Sequence, residues 1–234
     1  MKIYTNPLYA EHHEFIASLP EKFQRGEGKI IYDGRNQLRA FTHKGIEFVV
    51  KSFCLPSFIN RIAYGWFRSS KAQRSYEYAN ILLNKGILTP TPIGYITERR
   101  HGLFARSFYV SLKSDYTHNF NDIINEKPEG LSKYLEAVAQ TTALLHNNGM
   151  LHKDYSAGNV LMKEMSDGHI RVEIIDLNRI RFHKIGINEG CKNFERLPVN
   201  DEALKVLSKA YAAQRGFDAE ECYALMSKYC TYRV

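Results

Sequence analysis

Long apolar runs are missing from this chain. No stretch reaches the ~18 consecutive apolar residues that a membrane-spanning helix needs, so no transmembrane helix is expected. The opening Met1-Lys2-Ile3-Tyr4-Thr5-Asn6-Pro7 lacks the apolar centre of a secretory signal, and the expectation is a cytoplasmic protein. Paired cysteine spacings are missing too. Cys54, Cys191, Cys222 and Cys230 form no C-x-x-C, which argues against zinc and against a disulfide framework, and for reduced, partly buried thiols. There are no internal repeats, low-complexity tracts or inter-domain linkers. No zinc-finger or RRM signature appears, so nucleic acid is not an expected partner. What the chain has is positive charge, +7 net over 234 residues. That excess suits anionic partners such as phosphorylated sugars or an anionic membrane face, and it equally serves solubility. A hydrophobic share of 44% and a charged share of 24% are ordinary for a globular protein. The length allows one large domain or two small lobes around a cleft.

Chemistry concentrates in Leu151-His152-Lys153-Asp154-Tyr155-Ser156-Ala157-Gly158-Asn159-Val160-Leu161 and, downstream, in Ile174-Ile175-Asp176-Leu177-Asn178. The first places Asp154 and Asn159 five positions apart before an apolar run. The second is a strand-like run ending on Asp176. Three oxygen-bearing side chains can thus converge from a loop and a strand end. Mg²⁺ prefers such ligands and usually binds through one or two carboxylates plus substrate phosphates. A carboxylate not needed by the metal can take a proton from a hydroxyl. Together these are the parts of phosphoryl transfer. The bland reading is that Asp154 and Asn159 only make turn hydrogen bonds.

These residues resemble the catalytic loop and metal-binding Asp of the protein-kinase-like superfamily: His152-Lys153-Asp154 … Asn159, then Asp176-Leu177-Asn178. Within it the chain is similar to bacterial lipopolysaccharide core kinases, which phosphorylate heptose or Kdo sugars. Asp176-Leu177-Asn178-Arg179, Asn193-Phe194-Glu195-Arg196-Leu197 and the short C-terminal end carry that likeness. The resemblance implies an α+β, two-lobed fold, with an antiparallel-sheet N-lobe over 1–112 and a mainly helical, shortened C-lobe over 113–234. It implies ATP and Mg²⁺. Asp154 would address the acceptor hydroxyl, and Asn159 and Asp176 would hold the metal. His152 would orient the loop.

Along the chain, residues 1–28 are weakly patterned, with Glu14–Phe23 a short helix or an arm. Two strands flank Asp33-Gly34, the signal of a hairpin. In the related fold this hairpin covers the nucleotide phosphates, but here no G-x-G-x-x-G is present. The strand Ile46–Phe53 carries Lys51, which the resemblance assigns to the ATP phosphates. Residues 54–70 mix aromatic residues with Arg61 and Arg68. They read either as an interfacial segment, in peripheral contact with the inner membrane, or as a connection packed on the next helix. Ser70–Lys85 has helical periodicity and a Gly86 stop. Its Glu77, the only acidic residue between Glu47 and Glu98, is the expected partner of Lys51. Strands follow near Ile93–Thr97 and Leu103–Leu112, the latter ending on the hinge residues Tyr109, Val110 and Leu112, whose backbone would meet adenine. A helix is expected over Asp115–Asn125. Further helices are expected over Leu131–Asn147, Asp201–Arg215 and Ala219–Tyr229, and a hairpin around Asp167-Gly168.

The acceptor is the open question. Ser156 stands where protein-serine kinases usually carry Lys, and no Ala-Pro-Glu follows Asp176. Both favour a sugar on a lipopolysaccharide core, gripped by Arg179 and Arg181, over a peptide. The alternatives are a small protein or antibiotic kinase of the same fold, or a pseudokinase acting as a binding module.

Overall fold

The computed structural model describes residues 1–53, 69–100 and 103–230, with backbone alone at Arg100 and Leu103. Nearly all of the aromatic segment 54–70 lies outside the described residues. The chain divides into two compact units: Met1–Ile81 with Pro90–Ser114, and Leu82–Thr89 with Asp115–Val234.

In the first unit, the described residues form a six-stranded antiparallel sheet. Its strands are β1 (Lys2–Thr5), β2 (Lys29–Asp33), β3 (Gln37–His43), β4 (Ile46–Phe53), β5 (Pro92–Arg100) and β6 (Leu103–Leu112), in the spatial order β1-β5-β6-β4-β3-β2. β3 and β4 meet at a two-residue turn in which Lys44 (φ 49°) and Gly45 (φ 79°) are both left-handed. That is the turn whose twist matches a hairpin, and Gly45 takes it without steric cost. Along β4 the side chains alternate: Phe48 and Val50 are fully buried, and Lys51 lies on the opposite face.

Helix α1 (His13–Gln24) covers the Phe48 face. Ile16, Leu19 and Phe23 recur at helical spacing and pack with Phe41, Phe48, Val50, Phe108 and Val110. Pro20 lies inside α1, where a proline ordinarily costs about 3 kcal/mol. Burying three large apolar side chains at about 1.5–3 kcal/mol each outweighs it. This helix, and β1 paired with β5 from Lys2↔Thr97 to Thr5↔Gly94, order a region whose sequence is weakly patterned.

Helix α2 (Lys71–Asn84) begins at Ser70, whose side chain accepts from the Gln73 N–H at 3.1 Å. It ends at Gly86 (φ 73°), with the Ile87 N–H returning to the Leu82 carbonyl at 3.0 Å.

The second unit is built around α4 (Leu131–Asn147), whose buried stripe includes Leu135, Val138, Ala139, Thr142 and Leu145. Beside it run α6 (Asp201–Arg215) and α7 (Ala219–Tyr229), capped by Asn200 and Asp218. The helix expected from Asp115 starts later. β7 (His118–Asn119) pairs with β9 (Val160–Glu164), and α3 (Phe120–Glu126) follows. Asn119 sets that start: its side chain accepts from the Asn121 and Asp122 N–H groups while the Asp122 side chain accepts from the Asn119 N–H, a reciprocal cap. β9 pairs with β10 (Ile170–Ile174), and β8 (Met150–His152) with β11 (Ile180–Phe182). The hydrogen bond from the Ile174 N–H to the Leu88 carbonyl, 3.0 Å, ties the segment after α2 to β10. A short α5 (Ile187–Lys192) precedes α6. Cys191, Cys222 and Cys230 are buried free thiols.

Candidate active site

The loop between β8 and β9 is held through His152, which is fully buried. Its Nδ1 accepts the Asp154 N–H at 3.2 Å, so its proton sits on Nε2 and is donated to the Ile175 carbonyl at 3.0 Å. Burial lowers the imidazole pKa from its usual value, which favours this neutral form. One ring therefore joins the start of the loop to the residue before Asp176. Asn159 supplies a second tie. Its Nδ2 donates to the Asp154 carbonyl at 2.8 Å, and its own carbonyl accepts the Ile175 N–H at 3.0 Å. The amide can only face that carbonyl with its NH₂, so its Oδ1 points elsewhere. Tyr155, buried below, donates its hydroxyl to Thr142 at 2.6 Å, since the Thr142 proton is committed to the Val138 carbonyl at 2.7 Å.

Asp176 stands in the left-handed region, φ 60° and ψ 50°, where few residues other than Gly, Asn and Asp settle. It turns the chain out of β10 into a short 3-10 turn (Leu177–Arg179) and receives a hydrogen bond from Asn178 at 2.5 Å. Asp154, Asn159 and Asp176 are thus drawn together by backbone bonds that converge on Ile175.

The Asp154 carboxylate is 22% exposed and is gripped on both oxygens. Arg179 reaches Oδ2 at 3.2 Å and Arg196 reaches Oδ1. Burial pushes this carboxyl upward, but the two guanidiniums outweigh it and hold its pKa below the usual carboxylate range. Of the two arginines expected at the acceptor, Arg179 therefore touches Asp154 directly. Arg181, on β11, is exposed.

Behind the loop runs a hydrogen-bonded relay with one consistent direction. Arg215 donates to the Tyr211 hydroxyl at 2.9 Å, which donates to His146 Nδ1 at 2.8 Å. His146 Nε2 donates to Asn193 Oδ1 at 3.0 Å, and Asn193 Nδ2 donates to the His152 carbonyl at 3.0 Å. Burial holds His146 neutral, with its pKa lowered to about 4. Gly190 is required here: a Cβ at that position would collide with the Tyr211 hydroxyl.

In the first unit, Lys51 lies opposite Tyr109 across β4 and β6, with its ammonium 5.4 Å from the Phe53 ring centroid. Phe53, Ala72 and Tyr95 form a small core on this face, joined by Tyr76 and Tyr109. Glu77 is exposed and accepts a hydrogen bond from Gln73 at 2.8 Å. Of the residues expected at the hinge, Tyr109 has its phenol pKa pushed up by burial, Val110 is buried against α1, and Leu112 donates its N–H to the Thr91 carbonyl at 2.9 Å.

Sequence reading assigned no part to Asn193 or Arg196 beyond family likeness, and none to His146, Tyr211 or Arg215. The one usable signal was Asn193-Phe194-Glu195-Arg196-Leu197, which packs Phe194 against Tyr155 and Tyr211 and sends its two polar ends to the loop.

The mixed helix and antiparallel-sheet fold, with Asp154 and Asn159 on a braced loop and Asp176 just beyond β10, is of the kinase-like class. The fold matches a solved structure described as "WaaP in complex with acyl carrier protein", with a TM-score of 0.66 and 16% identity over 98% of each chain. No curated protein matches the sequence. The chain belongs to the lipopolysaccharide kinase (Kdo/WaaP) family, whose model matches residues 57–229. It is accordingly a kinase of lipopolysaccharide core sugars.

Proposed function

We propose that the chain transfers the γ-phosphate of ATP to a core-sugar hydroxyl oriented and deprotonated by Asp154. The observation that carries this reading is the state of Asp154: ionised, partly open to solvent, and fixed by bonds to its backbone and side chain. Asp154 would take the hydroxyl proton as the phosphoryl group leaves ATP. Asn159 Oδ1 and the Asp176 carboxylate fit Mg²⁺, which takes hard oxygen ligands and leaves other positions to phosphate and water. When bound, the ion would neutralise phosphate charge. Lys51, with Glu77 as its expected partner, would hold the α- and β-phosphates, and the end of β6 would meet adenine. We place the reaction in the cytoplasm, in peripheral contact with the inner membrane. No described helix is long and apolar enough to cross a membrane.

The test is transfer from radiolabelled ATP to purified core oligosaccharide, with a serine peptide as competitor. Label in the oligosaccharide, located on a sugar by mass spectrometry, is the expected result. Label in the peptide alone would return the protein-kinase alternative.

A further inference from the structure

We propose that Arg196 and Arg179 form a two-guanidinium cradle that selects acceptors carrying an anion a few bonds from the reacting hydroxyl. This rests on the sugar-kinase reading and sharpens it, because Arg196 takes the place that sequence gave to Arg181. The two arginines come from separate elements, Arg179 from the turn after Asp176 and Arg196 from the segment between α5 and α6. They approach Asp154 one oxygen each, and each uses only NH1 for it. A guanidinium carries five N–H donors in a rigid fork. Arg179 and Arg196 are 60% and 49% exposed, so the remaining donors are open to a ligand beside the carboxylate.

Holding Asp154 in place occupies only NH1 of each arginine and leaves the rest of each fork unexplained. Ion pairs this exposed contribute little to stability, and each long side chain gives up rotamer freedom to make one. His152 and Asn159 already fix the Asp154 backbone. Arginine forks match phosphate and carboxylate in bidentate fashion, and such an anion would sit one guanidinium's width from the group that takes the hydroxyl proton. The chemistry recognised is therefore an anionic sugar, either a sugar phosphate or a sugar acid.

Three acceptors test it: intact core oligosaccharide, the same after phosphatase treatment, and the same after carboxyl reduction. Binding is followed by calorimetry without ATP, and transfer by steady-state kinetics. The wild-type protein should bind and use an anionic form in preference to a form lacking that anion, and whichever treatment abolishes the preference names the anion. Arg196→Ala should shrink the preference about ten- to a hundred-fold, and Arg196→Lys should restore part of it. A brace would lower kcat/KM for all three acceptors by one factor and leave the preference intact, which overturns the proposal. Equal wild-type binding of all three acceptors overturns it too. Anion-dependent binding that Arg196→Ala abolishes, with no transfer to any acceptor, would support the cradle and sink the sugar-kinase reading instead.

Discussion

The hairpin β2–β3 and the loop Met150–Val160 are both assigned to phosphate chemistry by family likeness, and they are built in opposite ways. Every residue of β2 is exposed, including Ile30, Ile31 and Tyr32 at 54%, 50% and 57%, and among the described residues β2 is bonded on one side only, as the edge of its sheet. In the loop, His152, Tyr155 and Val160 are at most 1% exposed, and His152, Asp154 and Asn159 each take part in two or more hydrogen bonds. A polyphosphate tail tolerates a loose cover. An acceptor hydroxyl must be aimed within fractions of an ångström, and the proposed function puts the acceptor at the rigid loop.

The contrast breaks most directly at Asp154. Asp154→Ala should reduce kcat by about 10²–10⁴-fold and leave ATP affinity close to wild type, if the residue serves the acceptor as proposed. Turnover kinetics paired with an ATP titration decide it; near-normal turnover removes Asp154 from the mechanism.

Acid should attack the loop's foundation before the hairpin. His146 is neutral in the folded protein, its pKa lowered by burial from 6.5 to about 4. The unfolded chain binds that proton more readily, so the stability from this group is complete above about pH 6.5 and is lost as pH falls toward 4. The full loss is roughly 3 kcal/mol, at 1.36 kcal/mol per unit. His152 acts in the same direction. Thermal melts between pH 7.5 and 4 should show the decline, with a shallower slope in His146→Gln. An unchanged slope in that variant assigns the decline to other groups.

Asn193→Ala leaves the His146 Nε2–H and the His152 carbonyl without a partner, at about 1–3 kcal/mol for each buried group left unsatisfied. Melting temperature and kcat should fall together. Gly190→Ala should do likewise through the Tyr211 hydroxyl, although alanine is the better helix former by about 1 kcal/mol. If Asn193→Ala melts like the wild type, the relay is not holding the loop. The smallest effect belongs to the hairpin: Ile31→Ser, at an exposed edge-strand position, should change stability by no more than about 0.5 kcal/mol in chemical denaturation.

The parts legible in sequence share one property: their determinants are neighbours in the chain. The helices Leu131–Asn147, Asp201–Arg215 and Ala219–Tyr229 were expected at the ends they have, because periodicity and capping residues agree there. The Asp154–Asn159 spacing and the apolar run that leads to Asp176 are local as well. His146 reaches Tyr211 across 65 positions and Arg196 reaches Asp154 across 42, and no local pattern announces such pairs. β8 and β11 have three residues each, too few for an alternation to register. Glu14–Phe23 reads from sequence as a short helix or an arm, and that it is α1 depends on the sheet it covers.

Asp176 has a consequence for how this site can change by mutation. Its left-handed backbone restricts the position to the few residues that adopt that conformation readily, and the metal role proposed for it would restrict it to oxygen-bearing side chains. Only Asp and Asn satisfy both demands. Charge conservation is therefore a poor guide here. Asp176→Glu keeps the carboxylate but sets a longer side chain on a backbone that resists it, whereas Asp176→Asn keeps the turn and gives up the charge. The conservative-looking neighbour is the one that disturbs the fold, and the route by which this lineage could silence its chemistry while keeping its shape runs through asparagine.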